Sequence, residues 1–299
     1  MTATTETIAA RARPLNGILL AVLATLAFAA ADVATKQQAM RHPVPVVVAV
    51  RYLVNLGLLT LFLGPRLGSG LWRTHRRWLV FARGLCLALA SLTMGLALRL
   101  MPVGETVAII YLAPFAVMLL AIPLLGERVS RVGWACAALG FIGVLLVVRP
   151  GGGPDPLGVT FALVNIGFSV AYHLLTRLLA RSESTIAMLY QTALVGSVFF
   201  SLMALGSLDG LAVGPADLVM MALLGLLATI GHFLFTAAYR EAPASLLAPV
   251  NYLHLFWAGG LGWLIFGHLP DSWSIAGMAL VCASGAVVAI WAYTAKPGR

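Results

Sequence analysis

Charge is what this chain has least of. Only 10% of its 299 residues are Asp, Glu, Lys or Arg, and just ten are acidic, whereas soluble domains carry about 25% charged residues. So little polar surface excludes an ordinary water-soluble globule. Cysteine is also scarce: Cys86, Cys136 and Cys282 are an odd set with no CxxC spacing, which rules out a disulfide framework or a cysteine-based metal site and leaves them as small apolar packing residues. Catalytic motifs are missing as well. There is no HExxH, no GxSxG and no GxxxxGK, and the nearest approach, GFSVA at 167–171, lacks its second glycine. Zinc hydrolysis, a nucleophile elbow and nucleotide hydrolysis therefore find no support, and the expectation is a non-enzyme without cofactor or metal.

What the chain does have is apolar length: 61% of its residues are hydrophobic and its mean hydropathy is +0.97. Apolar runs fall at about 15–39, 44–64, 78–99, 103–124, 130–148, 157–180, 185–206, 217–239, 244–266 and 273–294. A bilayer core needs about 20 apolar residues per span, and lipid forces each run to satisfy its own backbone, so each reads as a helix. The reading is an all-α polytopic membrane protein of ten transmembrane helices. Residues 11–31 have the basic start and small-residue end of a secretory signal. The apolar pattern continues past Asp32 to Lys36 and more spans follow, so this stretch reads as an uncleaved first helix.

Lys and Arg outnumber the acids to give a net charge of +9, but they are scattered over short connections rather than set along one aromatic-bearing face, so no nucleic-acid partner is expected. With the N-terminus inside, Arg11, Arg13, Arg66, Arg73, Arg76, Arg77, Arg128, Arg131, Arg177, Arg181, Arg240, Lys296 and Arg299 are cytoplasmic. Only Lys36, Arg41, Arg99 and Arg149 are then external. This asymmetry predicts an inner-membrane protein with both termini in the cytoplasm.

RPGGGPDP at 149–156 cannot continue a helix and divides the chain into halves 1–150 and 151–299. At one fixed offset, 158 − 17 = 141, Gly17 matches Gly158, Thr35 matches Thr176, Arg99 matches Arg240, Pro102 matches Pro243, Tyr111 matches Tyr252 and Gly126 matches Gly267. Five helices per repeat is an odd number, so the second repeat starts on the opposite side of the membrane. The halves are inverted repeats, the architecture of alternating-access transporters whose substrate sits near the midplane between them.

The stretch ETVAIIYLAPFAVMLLAIPLLGERVSRVGWACAALGFIGVLLVV at 105–148 resembles the repeat of the drug/metabolite transporter superfamily, EamA type. PASLLAPVNYLHLFWAGGLGWLIFGHLPDSWSIAGMALVCASGAVVAI at 243–290 repeats it. One departure is visible: the Gly126-Glu127 that closes the first repeat is Gly267-His268 in the second. The resemblance implies a ten-helix exporter of small metabolites with a central cavity, and among such exporters those for amino acids fit best. A channel, or a carrier of drugs, nucleotide-sugars or other metabolites, is the alternative.

The polar residues inside the spans are the site candidates, because charge or amide groups facing lipid are costly. Arg51 and Asn55 lie one turn apart on helix 2, with Arg51 facing either a substrate carboxylate or one of the acids Asp32 and Glu105. Arg83 lies a turn or two inside the cytoplasmic edge and reads as interfacial. Helix 6 carries Asn165, Ser169, Tyr172, His173 and Thr176 at helical spacing. Helix 8 adds His232, and Asn251, Tyr252, His254 and Trp257 cluster on helix 9, with Tyr111 on helix 4. Hydroxyls, amides, imidazoles and aromatic rings with few fixed charges suit a zwitterion such as an amino acid. Pro114 and Pro249 interrupt the matching helices 4 and 9 and are hinge candidates. Asp32 and Glu105 are proton-carrier candidates, with pairing of Asp32 to Lys36 as the plainer option. Small solutes and the lipid bilayer are the expected partners; the oligomeric state is left open, with a monomer compatible.

Overall fold

The computed structural model describes residues 14–113, 115, 116, 120, 131–149, 153–179, 182–207, 212–241, 247 and 250–294. Its helices are α1 (Pro14–Ala39), α2 (Val44–Leu67), α3 (Arg77–Leu100), α4 (Val103–Ile110), α5 (Arg131–Val148), α6 (Pro156–Leu179), α7 (Thr185–Leu205), α8 (Pro215–Glu241), α9 (Leu253–Phe266) and α10 (Ser272–Thr294). A short 3-10 turn, Gly68–Leu71, follows α2. No strand occurs among the described residues. Seven of the helices are long and apolar enough to cross a bilayer, and two shorter apolar helices cover Leu253–Phe266 and Ser272–Val287.

Proline sets several starts, where its missing N–H is no loss. Pro43 and Pro102 precede α2 and α4 in extended conformation, and Pro156 and Pro215 are the first residues of α6 and α8. Most bounds fall within two residues of the apolar runs. The exceptions are α4 and α9, the two helices expected to be interrupted at Pro114 and Pro249, which turn at Tyr111–Leu112 and at Tyr252.

Helix pairing reveals the symmetry. α1 packs on α8 as α3 packs on α6; α3 packs on α7 as α2 packs on α8; α1 packs on α9 as α4 packs on α6. α2 packs on α7, α4 on α9 and α5 on α10. Exchanging the repeats, so that α1 becomes α6 and so on, maps this set of pairs onto itself. A two-fold pseudo-axis therefore runs through the bundle, as inverted five-helix repeats require. In the α5–α10 pair the main chains touch: a Cβ on Gly143 would lie 2.8 Å from the Gly277 carbonyl oxygen, and one on Gly277 would strike the Gly143 carbonyl.

The two ends of the bundle differ. Where α3 ends and α4 begins, Leu98, Met101, Val103 and Val107 to Ile109 are no more than 1% exposed. Lys36 closes this end by donating from Nζ to the carbonyls of Leu98 and Met101, 2.7 Å each, and it lies over the Phe266 ring. Arg149 pairs with Asp271. Towards the opposite end α2 turns from buried Val44 and Tyr52 to exposed Leu61, Phe62 and Leu67, the apolar surface that lipid covers.

Candidate functional site

The breaks in α4 and α9 build the centre of the site. α4 ends in a turn at Tyr111–Leu112, where Leu112 N–H bonds Ile109 oxygen at 3.0 Å in place of a carbonyl four back. Pro114 has no N–H to offer the Ile110 carbonyl, which explains a break just before it. In α9 the turn is at Tyr252, and Leu255 N–H bonds the Tyr252 oxygen at 3.1 Å. That shift leaves the Asn251 carbonyl without its helical partner. Tyr111 supplies one: its hydroxyl donates to the Asn251 oxygen at 2.7 Å. The two breaks thus occur at residues matched across the repeats, although the prolines do not match. Pro249 precedes its break and cannot cause it as Pro114 does. Both prolines lie outside the described residues.

The two tyrosine rings meet at 5.2 Å, and the Tyr111 hydroxyl also stands 3.3 Å from His254 Nδ1. On its other side His254 Nε2 is 3.0 Å from Asp32 Oδ2. Asp32, His254, Tyr111 and the Asn251 carbonyl therefore form a chain of contacts joining α1, α9 and α4. This corrects the expectation that Asp32 pairs with Lys36 one turn on; Lys36 is drawn instead to the unsatisfied carbonyls at the end of α3. Phe28 stands edge-on to both His232 and His254, with ring centroids 5.0 and 6.3 Å apart. His232 has an exposed side chain beside the α1 ring of Phe28 and within range of the Arg51 charge. Within the same region Asn251 Oδ1 and Trp257 Nε1 are buried without partners among the described residues.

Arg51 is half-buried. One guanidinium nitrogen donates to Ser91 Oγ at 2.8 Å, Ser91 is shared with the Tyr52 hydroxyl at 2.9 Å, and the guanidinium lies 5.1 Å from the Tyr52 ring centre. It does not reach the acids expected of it: Asp32 is on His254, and Glu105 accepts from Ser274 Oγ at 3.1 Å with His268 3.9 Å away. Among the described residues no carboxylate pairs with Arg51. A guanidinium offers five donors, so most of its hydrogen-bonding capacity is open. Asn55, half-buried one turn on, extends the same face.

Arg83 is the residue the sequence reading misplaced. It is 3% exposed, held by Thr176 Oγ1 at 2.7 Å, Thr192 Oγ1 at 2.7 Å, the Met188 carbonyl at 3.1 Å and the Tyr172 hydroxyl at 2.8 Å. The signal was the helix 6 stripe itself, a row of acceptors without a donor. That stripe faces α3: Asn165 donates to the Ala90 carbonyl at 2.6 Å and Ser169 to Asn165 at 3.2 Å, while His173 alone of the set is exposed. Glu105 lies at the packed end, away from the Asp32 chain. No group of three His, Cys, Asp or Glu that could hold a metal ion forms among the described residues.

A family model described as the EamA-like transporter family matches twice, over residues 15–149 and 156–290. The chain belongs to the EamA-like transporter family. As a member it is a multi-pass membrane transporter of two repeats. It is 28% identical over 275 residues to a riboflavin transporter of Rhizobium johnstonii, covering 91% of this chain and 90% of that one. It is 27% identical over 274 residues to the pseudopaline exporter of Pseudomonas aeruginosa, covering 89% and 93%. An S-adenosylmethionine uptake transporter of Rickettsia bellii is 25% identical over 217 residues, with 72% and 73% covered. A solved structure described only as a protein shares the fold, with a TM-score of 0.64 at 21% identity over 95% of this chain and 97% of the other. The Gly267-His268 departure from the EamA pattern has a structural counterpart, since His268 faces Glu105 of the other repeat.

Proposed function

We propose that this EamA-like transporter exports small carboxylate-bearing metabolites, foremost amino acids, from the cytoplasm across the inner membrane by alternating access. The carrying observation is Arg51: a charge inside a span, partly exposed, bonded to a neutral hydroxyl and without an acid among the described residues. A partly exposed guanidinium with no acid to neutralise it is a receptor for a carboxylate, which it binds with two parallel donors. Phe28, Tyr111, Tyr252 and Trp257 give the rest of the solute an apolar and aromatic surface, and the unpartnered Asn251 Oδ1 offers an acceptor to an ammonium group. His232, Asn55 and His173 border the route. The orientation rests on the distribution of Lys and Arg, with both termini cytoplasmic. The relatives carry solutes in both directions, an exporter and an uptake transporter among them, so direction is a property for direct measurement.

The test is a growth-protection panel in a sensitive bacterium with toxic amino-acid analogues, followed by counterflow in proteoliposomes. Wild type is expected to relieve some of the analogues. Arg51→Gln is expected to reach the membrane in normal amount and lose at least tenfold in counterflow. Full transport by the variant sinks the carboxylate role. The tyrosine pair supports a second reading, a flat heteroaromatic solute: riboflavin outcompeting every amino acid in counterflow would establish it instead.

A further inference from the structure

We infer that His254, clamped between Asp32 and Tyr111, binds the proton that drives this transporter and passes its state to the helix breaks through the Tyr111 hydroxyl. The inference rests on the transporter reading but not on the identity of the solute. The inventory of donors carries it. Tyr111 has one hydroxyl hydrogen, and a carbonyl can only accept, so that hydrogen is spent on the Asn251 oxygen at 2.7 Å. The same hydroxyl oxygen faces His254 Nδ1 at 3.3 Å, and His254 Nε2 faces a carboxylate oxygen at 3.0 Å. All three contacts are satisfied at once only when the His254–Asp32 pair carries one proton more than a neutral imidazole beside a carboxylate, as an imidazolium that donates at both nitrogens or with that proton resting on the Asp32 oxygen: a hydrogen shared between Nε2 and Asp32, Nδ1–H to the Tyr111 oxygen, and Tyr111 O–H to the Asn251 carbonyl.

Remove the proton and the chain conflicts with itself. With Nε2–H kept on Asp32, Nδ1 becomes an acceptor and competes with the Asn251 carbonyl for the single Tyr111 hydrogen. If the hydrogen turns to Nδ1, the Asn251 carbonyl at the α9 break loses its partner, and an unpaired carbonyl away from water is costly. The α9 turn then gains a reason to rearrange, and with it the contact between matched breaks of the two repeats. The proton enters from water on one side and leaves to water on the other, and no covalent bond of the solute changes. Other titratable groups face the pair. They are Lys36 one turn along α1, held by the Leu98 and Met101 carbonyls; His232 of α8 across Phe28, with Arg51 of α2 acting on it; and Tyr252 and Cys282 at the break. Glu105, on α4, bonds Ser274 at the packed end. Asp32 is the one acid in contact with His254 among the described residues.

Two readouts test this, one free of substrate. With Cys86 and Cys136 changed to Ala, Cys282, 3.8 Å from the Tyr252 carbonyl, reports the break through its maleimide labelling rate between pH 5 and 9. That rate is expected to change at least threefold with pH when His254 is present and to be flat in His254→Gln and Tyr111→Phe. In proteoliposomes, labelled phenylalanine is the probe, and the ratio of pH-gradient-driven accumulation to counterflow is expected to fall about tenfold in Asp32→Asn and Tyr111→Phe. Should phenylalanine not move at all while the labelling profile still depends on His254, the proton site stands and the amino-acid reading falls. A pH-dependent profile retained in His254→Gln, or a gradient response unchanged in Asp32→Asn, overturns the inference.

Discussion

Tyr111 and Tyr252 hold the same place in the two repeats and do different work. The phenol end of Tyr252 lies against Gly285 of α10, so close that a Cβ there would overlap its Cζ and hydroxyl. At the matching place of the first repeat, 285 − 141 = 144, stands Val144, 3% exposed. α5 therefore offers Tyr111 no slot, and its hydroxyl reaches across to the Asn251 carbonyl and His254 instead. One glycine-for-valine difference separates a tyrosine that packs from a tyrosine that links the halves. Internal duplication supplies two equivalent residues, and a change in what lies beneath them makes one available for a new task.

The most damaging way to erase the difference is Gly285→Val, which puts the first repeat's residue under Tyr252. Overpacking of this kind costs on the order of 4 kcal/mol where the neighbour is a rigid ring. Size-exclusion profiles in detergent are expected to show most of the folded peak gone, whereas Gly285→Ala with a wild-type profile would show that the ring has room to move. The reverse exchange, Val144→Gly, is milder, at about 2 kcal/mol from the lost buried side chain and the helical glycine. It is expected to lower the thermal midpoint and, by letting Tyr111 settle onto α5, to weaken the pH dependence of Cys282 labelling.

The smallest effect sits at another unmatched pair. Arg149, whose counterpart is Ile290 in α10, pairs with Asp271 just outside the span. The Ser274 backbone N–H, foremost, and Arg149 hold the Asp271 carboxyl below its ordinary value. A carboxyl lowered in the folded state stabilises above its unfolded pKa and stops doing so as pH falls through the folded one. Because Asp271 is exposed, Asp271→Asn is expected to shift the thermal midpoint only slightly at pH 7, with the gap from wild type closing below about pH 4. A gap that widens in acid would assign the tie a different chemistry.

The positions of most helices were legible because lipid leaves a chain few choices: about 20 apolar residues and a turn mark a span wherever they occur. The repeat was legible because Arg, Pro and Tyr recur at one offset. Polar partnerships were not. Asp32 and His254 are 222 residues apart, and nothing local in either helix announces the other, so the nearby Lys36 looked the better partner. Arg83 looked interfacial because its neighbours in the chain are basic and aromatic. Its surroundings in space are four oxygens from α6 and α7, a coordination that only packing reveals. The breaks lay between the two cases: Pro114 marked one helix correctly, but the residue where each helix turns is fixed by which carbonyl finds a donor.

The seam between α5 and α10 has a mechanical meaning. Gly143 and Gly277 bring two main chains into direct contact, with Val147 and Val281 closing in beside them, so a side chain at either glycine would push α5 and α10 apart. α1, α2 and α8, which carry Asp32, Arg51 and His232, pack instead on one another.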